Sequence, residues 1–175
     1  MYMKIVNRKE LDKIFDSFWD EMQEEFFKIE VLQYYGEDDG PSLREWLAGN
    51  REKSLEITRS NAKPWHEGKE GIKKIRIHVV DYPLSDYIQW EIEHYKIINV
   101  PLVGEEIYLV DSNEVKDLGL PKGDTIIFDQ KRVISNIYDS DGVVISAEIY
   151  GNKDDIGLFL DLRDQLLKLQ IEKIL

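Results

Sequence analysis

Arg76, His78, Tyr87, Glu91 and Tyr95 are the residues whose types and spacing could do chemistry in this chain. Arg76 and His78 sit two apart in the run Lys74 to Val80, which alternates in polarity, so both fall on one face of a β-strand. Tyr87, Glu91 and Tyr95 recur every four residues, the spacing of neighbouring positions on a helix face. A helix returning over that strand would gather a guanidinium, an imidazole, a carboxyl and two phenols. In a ligand site, Arg76 is the fork for an anion and an aromatic ring is the stacking plate for a base-like ring. Trp46 and Trp65 are the tryptophans placed to join such a site; Trp65, in a polar loop beside His66, either plugs the core or lines a cleft. In an enzyme, Glu91 is the first acid–base candidate, with His78, Arg76 and Tyr87 beside it. The structural alternative is a strand-to-helix Arg–Glu ion pair roofed by hydroxyl-tipped core tyrosines.

Other chemistries find little support. With no cysteine there are no disulfides, thiolate metal sites or thiol nucleophiles. His66, His78 and His94 never pair at i, i+4 and no H-E-x-x-H occurs, so no metal is expected. No G-x-S-x-G elbow is present, and Ser85 reads as a helix cap. Neither G-x-G-x-x-G nor a P-loop occurs, and no cofactor is expected. His94-Tyr95-Lys96 spells H-x-K, the opening of the phospholipase D motif H-x-K-x4-D, but Pro101 stands where the aspartate is due. The trio also falls on an expected helix, in a single partial copy.

At 175 residues, 42% of them apolar, the chain can bury a sizeable core in one domain. No apolar run reaches the length of a membrane span, the N-terminus has no signal core, and the expectation is a soluble cytoplasmic protein. A net charge of -12 disfavours direct nucleic-acid binding. Acids crowd the first forty residues, among them Asp16, Asp20, Glu21 and Glu24. They form a solvated helix face or, in a sharper reading, dock on a basic protein partner or mimic DNA.

The elements that must position these residues follow from periodicity. Asn7 and Glu10 form a capping box for a helix whose apolar stripe runs Leu11, Ile14, Phe15, Phe18, Trp19, Met22 and Phe26. Phe27 to Tyr35 is ambiguous and tips toward extended structure. Pro41 and Gly49 bracket a second helix, and residues 1–50 read as a helical wrap. Arg51 to Gly71 reads as loop with one helical turn. The centre is a β-α-β unit: a strand to Val80, a helix capped by Ser85 that runs to about Lys96, and a strand at Glu106 to Asp111. Ile97 to Val103 is apolar but broken by Pro101 and reads as entry to the second strand. Strands at Asp124 to Phe128, Lys131 to Tyr138 and Val143 to Tyr150 form an antiparallel meander, and Asn152 caps a closing helix over 152–175. The fold class is α/β, with α+β as the neighbouring solution: one mixed sheet over 72–150 with flanking N- and C-terminal helices.

The blocks Phe27-Lys28-Ile29-Glu30 with Tyr35, Trp46 and Gly49, Arg76-Ile77-His78-Val79-Val80, Pro83-Leu84-Ser85-Asp86-Tyr87 with Trp90-Glu91 and Tyr95, Gly104-Glu105, Thr125-Ile126-Ile127-Phe128-Asp129 with Val133, and Tyr138-Asp139 with Asp141-Gly142 carry a resemblance. Over roughly Phe26 to Leu169 the chain resembles an uncharacterised bacterial family, a domain of unknown function common in actinobacteria and often encoded beside helix-turn-helix regulators. The resemblance implies a shared α/β fold but no reaction. The strand-helix-strand plus meander is also similar to half of a phospholipase D-like domain, a fold that serves as a sensor or binding module when its catalytic motifs are absent. The resulting expectation is a non-catalytic regulatory or defence-associated domain. It would bind a protein partner or a small anionic or ring-containing ligand. The alternatives are a nuclease- or hydrolase-like enzyme and an acidic nucleic-acid mimic.

Overall fold

In the computed structural model, which describes residues 3–66, 69–151, 154–169 and 172–174, a mixed sheet carries helices on both faces. In chain order its strands are β1 (Met3–Asn7), β2 (Glu25–Glu30), β3 (Lys73–Val80), β4 (Glu106–Asp111), β5 (Thr125–Phe128), β6 (Arg132–Tyr138), β7 (Val144–Tyr150) and β8 (Glu172–Lys173). Their spatial order is β1-β7-β6-β5-β2-β3-β4-β8. β2, β3 and β4 run parallel, and the remaining pairs are antiparallel. The mixed sheet, the β-α-β unit and the meander are those expected from the sequence.

The helices are α1 (Arg8–Glu21), α2 (Pro41–Leu47), α3 (Arg51–Ser60), α4 (Asp86–His94), α5 (Ser112–Val115) and α6 (Gly157–Lys168). The Asn7 side chain accepts from Glu10 N at 3.1 Å and Glu10 reaches back to Asn7 N, closing the capping box that starts α1. The Ser85 hydroxyl accepts from Ile88 N at 3.1 Å and starts α4.

One sheet face is largely apolar and also carries the buried Glu25–Arg163 ion pair. Phe27, Ile29, Ile75, Ile77, Ile127 and Val133 project there and pack against Leu162 and Leu166 of α6. The opposite face is covered in two halves. Leu11, Trp19 and Met22 of α1 and its C-terminal end lie over Phe26, Ile126, Phe128 and Ile134. Leu43 and Trp46 of α2, with Tyr87, Ile88 and Trp90 of α4, gather around Val80 and Leu109. Between the two halves the sheet presents Lys28, Glu30, Arg76 and His78, and this polar seam positions the site.

Several expectations are corrected. Residues 1–50 are not only a helical wrap. They supply the edge strand β1 and the central strand β2, which is buried on both faces. Arg51–Ser60 is a full helix rather than a loop; its inward positions include Ser54 and Thr58, which hydrogen-bond Ser42, so no apolar stripe announces it. Ile97 to Val103 does not enter a strand. The chain passes from α4 into a π-helix over Tyr95–Val103, with Pro101 inside it, ended by Gly104 at φ 75°. Its β-branched residues suggest extension, but packing overrides that local preference. The closing helix spans only Gly157–Lys168, after which β8 pairs with β4. The proposed cap Asn152 lies outside the described residues.

Candidate functional site

β2 and β3 pair in register, Lys28 beside Arg76 and Glu30 beside His78, so the period-two alternation of both strands sends all four side chains to one face. Helix α4 crosses above and contributes Trp90, Glu91 and His94; Tyr95 and Asn99 follow from the π-helix. The turn at Gly36–Asp38 contributes Asp38, the start of β5 contributes Asp124, and β6 contributes Asn136 and Tyr138. Helix α1 forms the far wall with Leu11 and Phe15, and Trp65 lies at the margin. Together they enclose a cavity of about 540 Å³.

The floor is an ion network. Arg76 Nε and Nη2 donate to Glu105 at 2.7 and 3.1 Å, and Nη1 donates to Glu30. Lys28 Nζ and the Tyr95 hydroxyl each donate to Glu30 at 2.5 Å. Burial alone would lift Glu30, but the Arg76 and Lys28 cations overcome it and hold this carboxyl well below its usual range. Asp124, fully buried, accepts from Tyr35 Oη at 2.7 Å, Tyr138 Oη at 2.9 Å and Val31 N at 3.2 Å. Burial lifts its carboxyl despite these donors and Lys28.

The rest of the site is different, because several of its polar groups lack partners. His78 Nε2 donates to the Leu32 carbonyl at 3.0 Å, which leaves Nδ1 with its lone pair 3.1 Å from the Tyr95 hydroxyl; burial keeps the ring neutral by lowering its pKa. Glu91 Oε2 lies 3.3 Å from that Nδ1 but makes no hydrogen bond. Burial, then repulsion from Glu30 and Asp38, pushes Glu91 well above the usual carboxyl range. His94 Nδ1 and Asn136 Oδ1 are likewise buried without a hydrogen-bond partner. Asp38 accepts from the Tyr87 hydroxyl at 2.5 Å, and burial raises its pKa.

Glu30, His78 and Glu91 each offer a ligand atom, all within 4.8 Å of one another, which is the spacing of a metal site. The gap between them is already bridged by the Tyr95 hydroxyl, and the charge of Glu30 is neutralised by Arg76 and Lys28. The donor set is therefore better matched to protons and side-chain cations than to an ion.

The structure brings most of the expected residues to one place, in altered roles. Arg76, Glu91 and Tyr95 line the cavity, with His78 fully buried behind them. The ion pair expected between Arg76 and a helix carboxylate is instead made with Glu30 and Glu105, so the fork offered to an anion is closed. Tyr87 is not on the cavity wall; it braces Asp38, which is. Trp65 lines the margin and donates to Glu105 Oε1 at 3.0 Å. Trp46 lies apart from the cavity, in the core between α2 and α4, with Arg51 over its ring. Lys28, Glu30, Asp38, His94, Asp124 and Asn136 are not among the site residues expected from the sequence. Lys28 and Glu30 carried a usable signal, since they alternate with Phe27 and Ile29 in a run short and apolar enough to be a central strand. Asp124 and Asn136 reach the site only through the meander's pairing, which no local pattern announces.

No curated protein matches the chain in sequence. Among solved structures, it is similar to a phospholipase D family member, Nuc from Salmonella typhimurium, at 11% identity and a TM-score of 0.49 over 98% of this chain and 97% of that one. It is also similar to NucT from Helicobacter pylori, at 11% identity and a TM-score of 0.47 over 95% of this chain and 96% of that one. A family model described as "Domain of unknown function (DUF6879)" matches residues 13–172, and the chain belongs to that family.

Proposed function

We propose that this protein is a small-ligand-binding domain, working in the cytoplasm in a regulatory or defence-associated setting, whose ligand sits in the cavity between α1 and α4. One observation carries the reading. Glu91 Oε2, His94 Nδ1 and Asn136 Oδ1 are buried, lack hydrogen-bond partners and belong to residues on the wall of a single cavity. A buried polar atom without a partner costs about 1–3 kcal/mol, and a bound molecule toward which these wall side chains turned would recover it. The volume suits a compound with one or two rings, and Trp90, Tyr35 and Tyr138 offer aromatic surface. The test is a thermal-shift screen of a metabolite library against the wild type and an Asn136→Ala, Glu91→Gln double variant. Compounds that raise the melting temperature of the wild type and not of the variant support the reading; a library without effect on either contradicts it.

A second reading has its own observation. A carboxyl that burial pushes toward its protonated form, on a cavity wall 3.3 Å from an imidazole that burial pushes toward neutral, is a group able to give or take a proton. In this acid–base enzyme reading Glu91 is the catalytic residue and His78 tunes it. Arg76 and Tyr87 then act as positioning residues, because their polar ends are engaged by Glu30, Glu105 and Asp38. Turnover of any screening hit, lost in Glu91→Gln while binding persists, would favour it over simple binding.

A further inference from the structure

Resting on the ligand-binding reading, we infer that the occupant of the cavity is an organic cation, and that Glu91 and Asp38 receive its charged end. The inference comes from which charges on the wall are already answered. Every side-chain cation there is engaged. Arg8 pairs with Asp12 and Glu37, Lys28 with Glu30 and Asp124, and Arg76 with Glu30 and Glu105. The carboxyls are not all engaged in return. Glu91 and Asp38 have no Lys or Arg partner among the described residues. The imidazole nearest Glu91, His78, is fully buried and gives its one ring proton to the Leu32 carbonyl. An anion entering this cavity would meet carboxyls and, among the described residues, no unengaged Lys or Arg; His94, whose Nδ1 lacks a partner, is kept toward its neutral form by burial. A cation would meet two carboxyls without a Lys or Arg partner beside aromatic faces, and at Glu91 its charge would take the place of the proton that burial otherwise favours there.

A bare metal ion fits this vacancy less well than an organic one. It would have to displace the Tyr95 hydroxyl from between Glu30 and His78, and it would leave most of the roughly 540 Å³ unfilled. A flat ring bearing an amidinium or protonated amine reaches the carboxyls with its charged end and lays its ring along Trp90 or Tyr35.

Three probes of nearly one shape separate the possibilities: benzamidinium, neutral benzamide and anionic benzoate, each titrated at neutral pH and read by protein chemical-shift changes. Zinc and magnesium ions form a fourth arm. The expected result is saturable binding of benzamidinium, at least about tenfold weaker binding of benzamide, and none of benzoate. Glu91→Gln and Asp38→Asn, each checked for an unchanged circular dichroism spectrum, should each weaken benzamidinium by about tenfold. Tighter binding of benzoate than of benzamidinium would overturn the charge assignment while leaving the ligand-binding reading standing. So would metal binding that excludes benzamidinium, benzamidinium binding unaffected by either substitution, or no binding by any probe.

Discussion

Glu91 Oε2 and His78 Nδ1 lie 3.3 Å apart in the interior, and as a carboxylate Glu91 has no donor at that oxygen. Two lone pairs at that distance repel unless a proton resides on one partner. Burial and the neighbouring charges of Glu30 and Asp38 place it on Glu91. This contact separates the two parts of the site: a floor in which each charge has an opposite, and a remainder that carries unanswered polar atoms.

The raised pKa of Glu91 makes a prediction about pH. A group whose folded pKa exceeds its unfolded value supports the fold fully below the unfolded value, here 4.5, and loses that support as pH climbs toward the folded pKa. Glutamine at this position needs no proton. Melting temperatures of Glu91→Gln and wild type, compared from about pH 5 to pH 8, should therefore shift progressively in favour of the variant. A constant difference across that range would show that Glu91 titrates as an ordinary carboxyl.

Arg76 holds two buried carboxylates at once, Glu30 and Glu105. Arg76→Met should destabilise the protein by about 3–5 kcal/mol at neutral pH, because both carboxylates lose their closest cation. Arg76→Lys should recover only part of this, since an ammonium cannot reproduce the two-pronged contact with Glu105. Urea unfolding measures both. A loss below about 1 kcal/mol for the methionine variant would mean that Lys28 alone sustains the network.

The sequence made the central β-α-β unit and the meander readable because their signals are local. Strict alternation marked β3, Ser85 marked the start of α4, and Asp129-Gln130 and Asp141-Gly142 marked turns that the structure places at positive φ for Asp129, Gln130 and Gly142. Arg76 and His78 could be assigned to one strand face, and Glu91 and Tyr95 to one helix face, on spacing alone. Their partners could not. Glu105 follows a π-helix whose sequence resembles a strand, Glu30 lies within the ambiguous run Phe27 to Tyr35, and Asp124 arrives through pairing across the sheet. The α3 helix escaped notice because its buried contacts are hydroxyls rather than an apolar stripe.

Asp129 anchors the junction between α1 and the sheet. Its carboxylate accepts from the backbone N–H groups of Gln23, Glu24 and Glu25 at 2.9, 2.8 and 3.0 Å. Burial opposes ionisation, but these three donors overcome it and hold its pKa below the usual value. Asp129→Ala should cost about 2–3 kcal/mol at neutral pH. For a lowered pKa the stabilisation exists above the unfolded value and disappears as pH falls through the folded one, so the gap between wild type and variant should narrow under acid. Equal gaps at neutral and acidic pH would contradict the role assigned to the carboxylate.

Gly36 begins the turn that carries Asp38 to the cavity, and a Cβ on it would lie 2.2 Å from the Asp141 carbonyl oxygen. The clash is with backbone, so no flexible side-chain end is there to yield. Gly36→Ala should lower the melting temperature and, where the fold persists, weaken the benzamidinium response by displacing Asp38. Unchanged stability would show that the two loops move apart freely.

The central claim is that a ligand occupies the cavity between α1 and α4, and the four tryptophans report on it directly. Trp65 and Trp90 line that cavity, whereas Trp19 and Trp46 do not. In a titration with benzamidinium or a hit from the metabolite screen, followed through the ¹⁵N-labelled indole N–H signals, Trp65 and Trp90 should move in a saturable way while Trp46 stays in place. Movement confined to Trp46, or no movement at saturating ligand, would contradict the account.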